Sequence, residues 1–190
     1  NFGSARTSTI SFTLSHGDVS LTESVTINQQ AGTHAGGMTH SAKELAALMV
    51  PGWNLGNTLE AGDAANNFTN QGGLSSETAW QATKTTQKVI DEVKKQGFKS
   101  VRLPISWVMG HLTDKAKMSI DEAWMARVKE VVNYCLADGL YVIINDHWDG
   151  GWLEIDGFSR SRDNFQVVDE ATITEKTKQL KALWTNIAQA

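Results

Sequence analysis

Three short apolar segments, each ending in polar residues and each followed by a helical pattern, restrict this chain to a parallel sheet covered by helices. The segments are Gly52–Leu55, Ser100–Pro104 and Tyr141–Asn145. The third is almost wholly apolar, as a strand buried on both faces must be. The first leads through a polar loop to a helix at about 84–96, which Gly97 ends. The second precedes a helix at about 120–137, with Trp124, Val128, Val131, Val132 and Cys135 on one face. Ser119 and Glu122 have capping-box spacing there, and Gly139 is the stop. After the third comes a long loop and a helix from Thr172, where Glu175 completes another capping box and Leu180, Leu183, Trp184 and Ile187 form the inner stripe. Strand–helix alternation of this kind predicts an α/β fold with parallel strands. A closed (β/α)8 barrel takes about 250 residues or more; here the strands start at 52, 100 and 141, so only three of its units are expected in this sequence.

The stretch ahead of these units has a different period. Ile10, Phe12 and Leu14 alternate along one strand, Val25 and Ile27 along a second, and His16-Gly17-Asp18 supplies a turn between them. Two strands alone are barely stable in water, so this hairpin is expected to dock on something or to belong to a larger sandwich. Residues 31–40, with Gly32, Gly36 and Gly37, read as a linker. Ser41 then caps a short helix with Leu45, Leu48 and Met49 as its apolar stripe.

Composition removes several functions. A net charge of -4 offers no basic field for nucleic acid or anionic membrane. No run of eighteen apolar residues exists to span a bilayer, and no signal-peptide pattern opens the sequence at Asn1. The single cysteine, Cys135, excludes a disulfide scaffold and a zinc ribbon. No Gly-rich phosphate loop follows a strand, which puts a nucleotide-binding sheet far behind. Seven tryptophans fit a sugar cleft, because the apolar face of a glucose ring packs on indole.

In a (β/α) barrel the chemistry sits at the C-terminal ends of the strands, and polar residues gather there. The first segment ends in Asn54-Leu55-Gly56-Asn57, the second carries Arg102, and the third ends in Asn145-Asp146-His147-Trp148-Asp149. A buried arginine in an apolar strand is costly without a carboxylate, so Arg102 is expected to meet one in the barrel mouth. Asn145 and His147 can exchange hydrogen bonds with sugar hydroxyls. Asn57 suits either a sugar contact or a turn. Trp148 stands beside them, and Trp152, in a Gly-rich loop, is the candidate sugar platform, whereas Trp107, Trp124 and Trp184 suit the core. Asp146, His147 and Asp149 have metal-ligand chemistry, but neighbours at a strand end point in different directions, and neither a metal nor any cofactor is expected.

These residues also carry a family likeness. Gly52-Trp53-Asn54-Leu55-Gly56-Asn57-Thr58-Leu59-Glu60 resembles the opening motif of glycoside hydrolase family 5, and Glu77-Thr78-Ala79-Trp80 the next motif of its subfamily 4. Val101-Arg102-Leu103-Pro104-Ile105-Ser106-Trp107 is similar to the second-strand motif, and Asn145-Asp146-His147-Trp148-Asp149-Gly150-Gly151-Trp152 to the third. Four motifs stand in the right order over residues 41–190. Gln81-Ala82-Thr83 departs from the Gly-Asn-Pro that usually follows the Glu-Thr-Ala-Trp motif. The resemblance implies a (β/α)8 TIM barrel and retaining hydrolysis of a β-1,4-glucan by a secreted or cell-surface bacterial endoglucanase. It implies that Arg102 braces the nucleophile, that His147 lines the subsite of cleavage, and that Asn57, Asn145, Trp148 and Trp152 contact sugar. More weakly, residues 1–31 resemble the last strands of a BACON-type immunoglobulin-like module, with 32–40 as the linker.

A retaining glycosidase needs two carboxyl groups about 5–5.5 Å apart. In the family these follow strands four and seven, and no Asn-Glu-Pro motif occurs here. The expectation is a chain that lacks both catalytic glutamates and needs the remaining barrel half, from the same protein or a second chain. Substitutes from Glu60, Asp63, Glu77, Asp149 and Glu154 would have to face one another across the cleft, and no known motif places them so. The rival reading is a carbohydrate-binding protein without catalysis.

Overall fold

The computed structural model describes residues 6–16, 19–29, 40–62, 73–147, 149–153 and 170–190. Contacts divide the chain into two units, Asn1–Leu48 and Met49–Ala190.

In the first unit, β1 (Arg6–His16) and β2 (Val19–Gln29) pair antiparallel with Ile10 opposite Val25. The hairpin read from alternation is present, and Gly17 and Asp18 of its turn lie outside the described residues. Cross-strand hydroxyls bond at Ser11–Ser24 (2.7 Å) and Thr13–Thr22 (2.8 Å). Helix α1 (Ala42–Leu48) starts at a reciprocal cap: the Ser41 amide donates to Glu44 Oε2 (2.7 Å) and the Glu44 amide to Ser41 Oγ (3.3 Å). Its apolar stripe is not buried, and Leu48 stays 43% exposed.

In the second unit the three predicted strands form one parallel sheet in the order β3 (Gly52–Asn54), β4 (Ser100–Ile105), β7 (Tyr141–Asp146). Asn54 pairs with Arg102, Arg102 with Ile143, and Pro104 with Asn145. On one face Val101, Leu103 and Ile105 are fully buried against helices α2 (Gln87–Lys95), α3 (Glu122–Ala137) and α4 (Glu170–Gln189). Ile90 and Val93 come from α2, Trp124, Val128, Val131 and Cys135 from α3, and Leu183 from α4. Alternation along each strand then sends Asn54, Arg102, Ile143 and Asn145 to the opposite face. That face is open among the described residues, with Ile143 41% exposed.

Helix ends differ from the sequence reading for local reasons. Helix α2 starts at Gln87 because the Thr85 backbone is engaged elsewhere: its N–H donates to Glu77 Oε1 (2.9 Å) and its carbonyl accepts from Arg127 (2.6 Å). The cap of α3 is Asp121, whose carboxylate accepts from the Trp124 amide (2.9 Å). Ser119, the cap inferred from sequence, is instead drawn into a short antiparallel pair, β5 (Leu112–Asp114) with β6 (Ser119–Ile120). Helix α4 begins at Glu170, so Thr172 lies in its first turn. At the end of α3, Gly139 (φ 63°) takes the left-handed position that lets Leu140 N donate to Cys135 O (3.0 Å).

A buried histidine ties the loop after β4 to α3. His111 is 2% exposed and stacks on Trp124 with ring centroids 3.8 Å apart and planes 6° from parallel. Its Nε2 lies 3.4 Å from Ser76 Oγ. Burial holds the imidazole neutral and pushes its pKa down from 6.5 to about 4, against a smaller opposing effect of Asp121. Because the folded value lies below the unfolded one, this site's stability is complete above pH 6.5 and is lost as pH falls through about 4. The loss is on the order of 3 kcal/mol. Compared by urea unfolding at pH 7 and pH 4, the wild type is expected to lose about 3 kcal/mol relative to His111→Phe, which keeps the stack, so the difference between the two pH profiles reads this histidine alone. Parallel profiles would remove the assignment.

Candidate active-site rim

The turn after β3 is wound around one carboxylate. Glu60, 7% exposed, accepts from the Asn57 amide at 2.6 Å and the Thr58 amide at 3.0 Å. Thr58 Oγ1 donates back to Leu55 O at 3.0 Å. This winding puts Asn57 in the left-handed region (φ 61°), which asparagine tolerates better than most side chains, and leaves it exposed. A Cβ on Gly56 would come within 2.9 Å of Asn54 Nδ2, so glycine there leaves room for the Asn54 amide.

Asn54 uses that room to bind arginine. Arg102 Nη1 donates to Asn54 Oδ1 at 2.7 Å, and Arg102 Nη2 lies 3.3 Å from His147 Nδ1. A guanidinium has only donors, so Nδ1 is the acceptor and the neutral ring carries its proton on Nε2. All three strands thus contribute to one polar row at their C-terminal ends. The carboxylate expected to meet Arg102 is not among the described residues. Among the described residues Arg102 pairs with an amide and an imidazole, and it is half-buried rather than buried, which makes a neutral partner tolerable.

Asn145 stands beside this row. Its Nδ2 donates to Asp146 O (2.9 Å), its carbonyl accepts from the Trp107 indole (3.2 Å), and its Oδ1 is buried with no partner among the described residues. Trp148 lies outside the described residues. Trp152 is half-buried against the core rather than an open platform: its Nε1 donates to Asp146 Oδ2 (2.9 Å), and Lys176 Nζ sits 5.7 Å from its ring centroid. Asp146 follows Val142 and Ile144 on the helix-side face, so Trp152 is directed away from the Asn54–Arg102–His147 row.

The acids considered as substitutes are committed to backbone and arginine. Glu60 winds its turn. Glu77, fully buried, takes Arg127 Nε on Oε2 and Nη2 on Oε1, both at 2.8 Å. Asp149, 1% exposed, accepts the amides of Trp107 (2.7 Å), Val108 (2.6 Å) and Met109 (2.7 Å). Asp63 and Glu154 lie outside the described residues. The Glu77–Arg127 pair and the Asp149 amide cradle were absent from the sequence reading, since neither spacing nor periodicity marks them. Among the described residues, no three His, Cys, Asp or Glu side chains come together as metal ligands, and no helix is long and apolar enough to cross a membrane.

A parallel sheet, helices on one face and a polar row at the C-terminal strand ends define the (β/α)-barrel class of enzyme domain. The cellulase model of glycosyl hydrolase family 5 matches residues 62–190. The chain belongs to glycoside hydrolase family 5. It is 43% identical over 150 residues to endoglucanase A of Clostridium longisporum, covering 79% of this chain and 26% of that protein. Among solved structures it is similar to XEG5B, a xyloglucan-specific β-1,4-glucanase from a ruminal metagenomic library in complex with XXLG, at TM-score 0.66 and 55% identity. That match covers 79% of this chain and 36% of the other. A broad-specificity endoglucanase from Ruminococcus champanellensis with bound cellotriose gives TM-score 0.65 and 38% identity, over 79% of this chain and 39% of that one. The chain therefore spans about a quarter to two fifths of the proteins it matches here.

Proposed function

We propose that this chain forms the first three β/α units of a secreted or cell-surface bacterial endo-β-1,4-glucanase that hydrolyses cellulose- or xyloglucan-type chains with retention. One observation carries the reading: Asn54, Arg102 and His147, from three successive parallel strands, form a bonded row on the face a barrel encloses. In this proposal Arg102 braces the nucleophile supplied by the remaining barrel half, and His147 lines the subsite of bond cleavage. Asn57, exposed on its turn, contacts a sugar further along, and the unpartnered Asn145 Oδ1 accepts from a hydroxyl or from the next strand. The family motifs and the substrates named for its relatives support this. The hairpin of the first unit is proposed to be the end of an immunoglobulin-like module.

Hydrolysis by the 190 residues alone is not expected, because Glu60, Glu77 and Asp149 are already engaged. The purified chain should release no reducing sugar from carboxymethyl-cellulose or xyloglucan, and adding strands four to eight should restore release. Turnover by the chain alone, abolished by Glu60→Gln, would sink the proposal. Cello-oligosaccharide binding that never becomes turnover even with those strands present would favour a non-catalytic sugar-binding protein.

A further inference from the structure

Asp146 immediately precedes His147 and is not used by the rim. It lies opposite Ile105 in the sheet, on the helix-side face. Its Oδ2 accepts from the Trp152 indole at 2.9 Å, while Oδ1 is enclosed and no donor among the described residues reaches it. Asp149 is close enough to act on it both by hydrogen bonding and by charge. The two acids are not equivalent. Three amides converge on the Asp149 carboxylate oxygens, whereas Asp146 accepts from one indole N–H. A proton shared between them therefore resides on Asp146, where it can point from the otherwise orphaned Oδ1 toward Asp149.

We propose that Asp146 is a positioning residue that works as the neutral acid, its proton bridging to Asp149 and so tying the segment that carries His147 to the loop at residues 106–109. The surrounding contacts converge on this link. The His147 amide donates to Ile105 O (3.0 Å), the last residue of β4 before that loop. Lys176 of α4 donates to the Trp152 carbonyl, which fixes the indole against Asp146. Burial first, then Asp149, pushes the Asp146 carboxyl up to about 7. The charged and titratable groups near it are Asp149, which acts on it directly, Lys176 beyond Trp152, and His147, the next residue in the chain, on the opposite face.

The proposal uses the rim reading only for the meaning of His147, and its test reads protons rather than hydrolysis. Opening of this link exposes Asp146 and returns it to an ordinary carboxyl near 3.8. Opening therefore becomes easier by about tenfold per pH unit between about 4 and 7 and no easier beyond. Amide exchange of Trp107, Val108 and Met109 should steepen over that interval, on top of the ordinary base-catalysed rise, and rejoin it above pH 7. In Asp146→Asn, which is isosteric and permanently neutral, the extra steepness should vanish. Carbon-13 carboxyl titration of the unaltered chain gives a second reading that needs no folded variant: one aspartate should titrate near pH 7, with the Trp152 indole N–H resonance moving at the same midpoint. An Asp146 that titrates near 4, or an Asp146→Asn chain with unchanged exchange steepness, would overturn the proposal whether or not the rim binds glucan.

Discussion

Replacing Glu77 by glutamine should destabilise the second unit by about 3–5 kcal/mol, because it strands a buried guanidinium. Arg127 Nη2 also donates to Thr85 O (2.6 Å) and Nη1 to Glu130 Oε2 (2.5 Å), but Glu130 is half exposed and screened. Glu77 is the fully buried counterion, and its hydrogen bonds raise the guanidinium pKa further above its ordinary value. Arg127→Met should cost a similar amount, since it leaves the Glu77 anion with the Thr85 amide alone. Combining Glu77→Leu with Arg127→Met should recover part of the loss, as paired apolar replacements of buried ion pairs do. Recovery is incomplete, because the Thr85 N–H and C=O both lose partners. Urea unfolding followed by tryptophan fluorescence, with Trp124 buried on the same helix as Arg127, measures all three. A Glu77→Gln chain within 1 kcal/mol of wild type would show that the pair does not bind the 73–86 loop to α3 as drawn.

Most of what positions the rim could be read from sequence, for a physical reason. Parallel strands in register bring their C-terminal ends together, so finding the strands was enough to predict that Arg102 and His147 meet. Apolar periodicity likewise placed Trp124, Val128, Val131 and Cys135 against the sheet. What stayed hidden depends on partners distant in sequence. Arg127 lies next to the apolar stripe of α3, and periodicity alone could not tell whether its charge turned to solvent or to Glu77, fifty residues earlier. Arg102 was given a carboxylate in the barrel mouth; among the described residues its partners are Asn54 and His147, which half-burial tolerates, and the nucleophile proposed for the remaining barrel half would be that carboxylate. Ser119 matched a capping box, yet Asp121 stood closer to the helix start and Ser119 had a strand partner. Trp152 looked like a platform because a Gly-rich loop suggests exposure, but Asp146 and Lys176 draw it inward.

Asp149→Ala should cost on the order of 3–5 kcal/mol, because three amides lose their acceptor together and each buried orphan costs about 1–3 kcal/mol before water enters. A smaller contribution comes from the backbone. Asp149 sits at φ 51°, where a Cβ without a local polar contact costs about 1–2 kcal/mol. The two contributions separate by substitution. Asp149→Gly relieves the backbone and still strands the Trp107, Val108 and Met109 amides, so it should recover no more than that smaller part. Asp149→Asn keeps one acceptor oxygen and a side chain at ease in the left-handed region, so it should lose about half as much as alanine. Unfolding free energies ranked Ala, Gly, Asn from worst to best would identify the amide cradle as the main contribution. A glycine variant as stable as wild type would instead make strain the whole effect. The same variants act on the neighbouring acid. In Asp149→Asn the neighbouring charge is gone while burial and the Trp152 hydrogen bond remain, so the titration of Asp146 should fall below about 7.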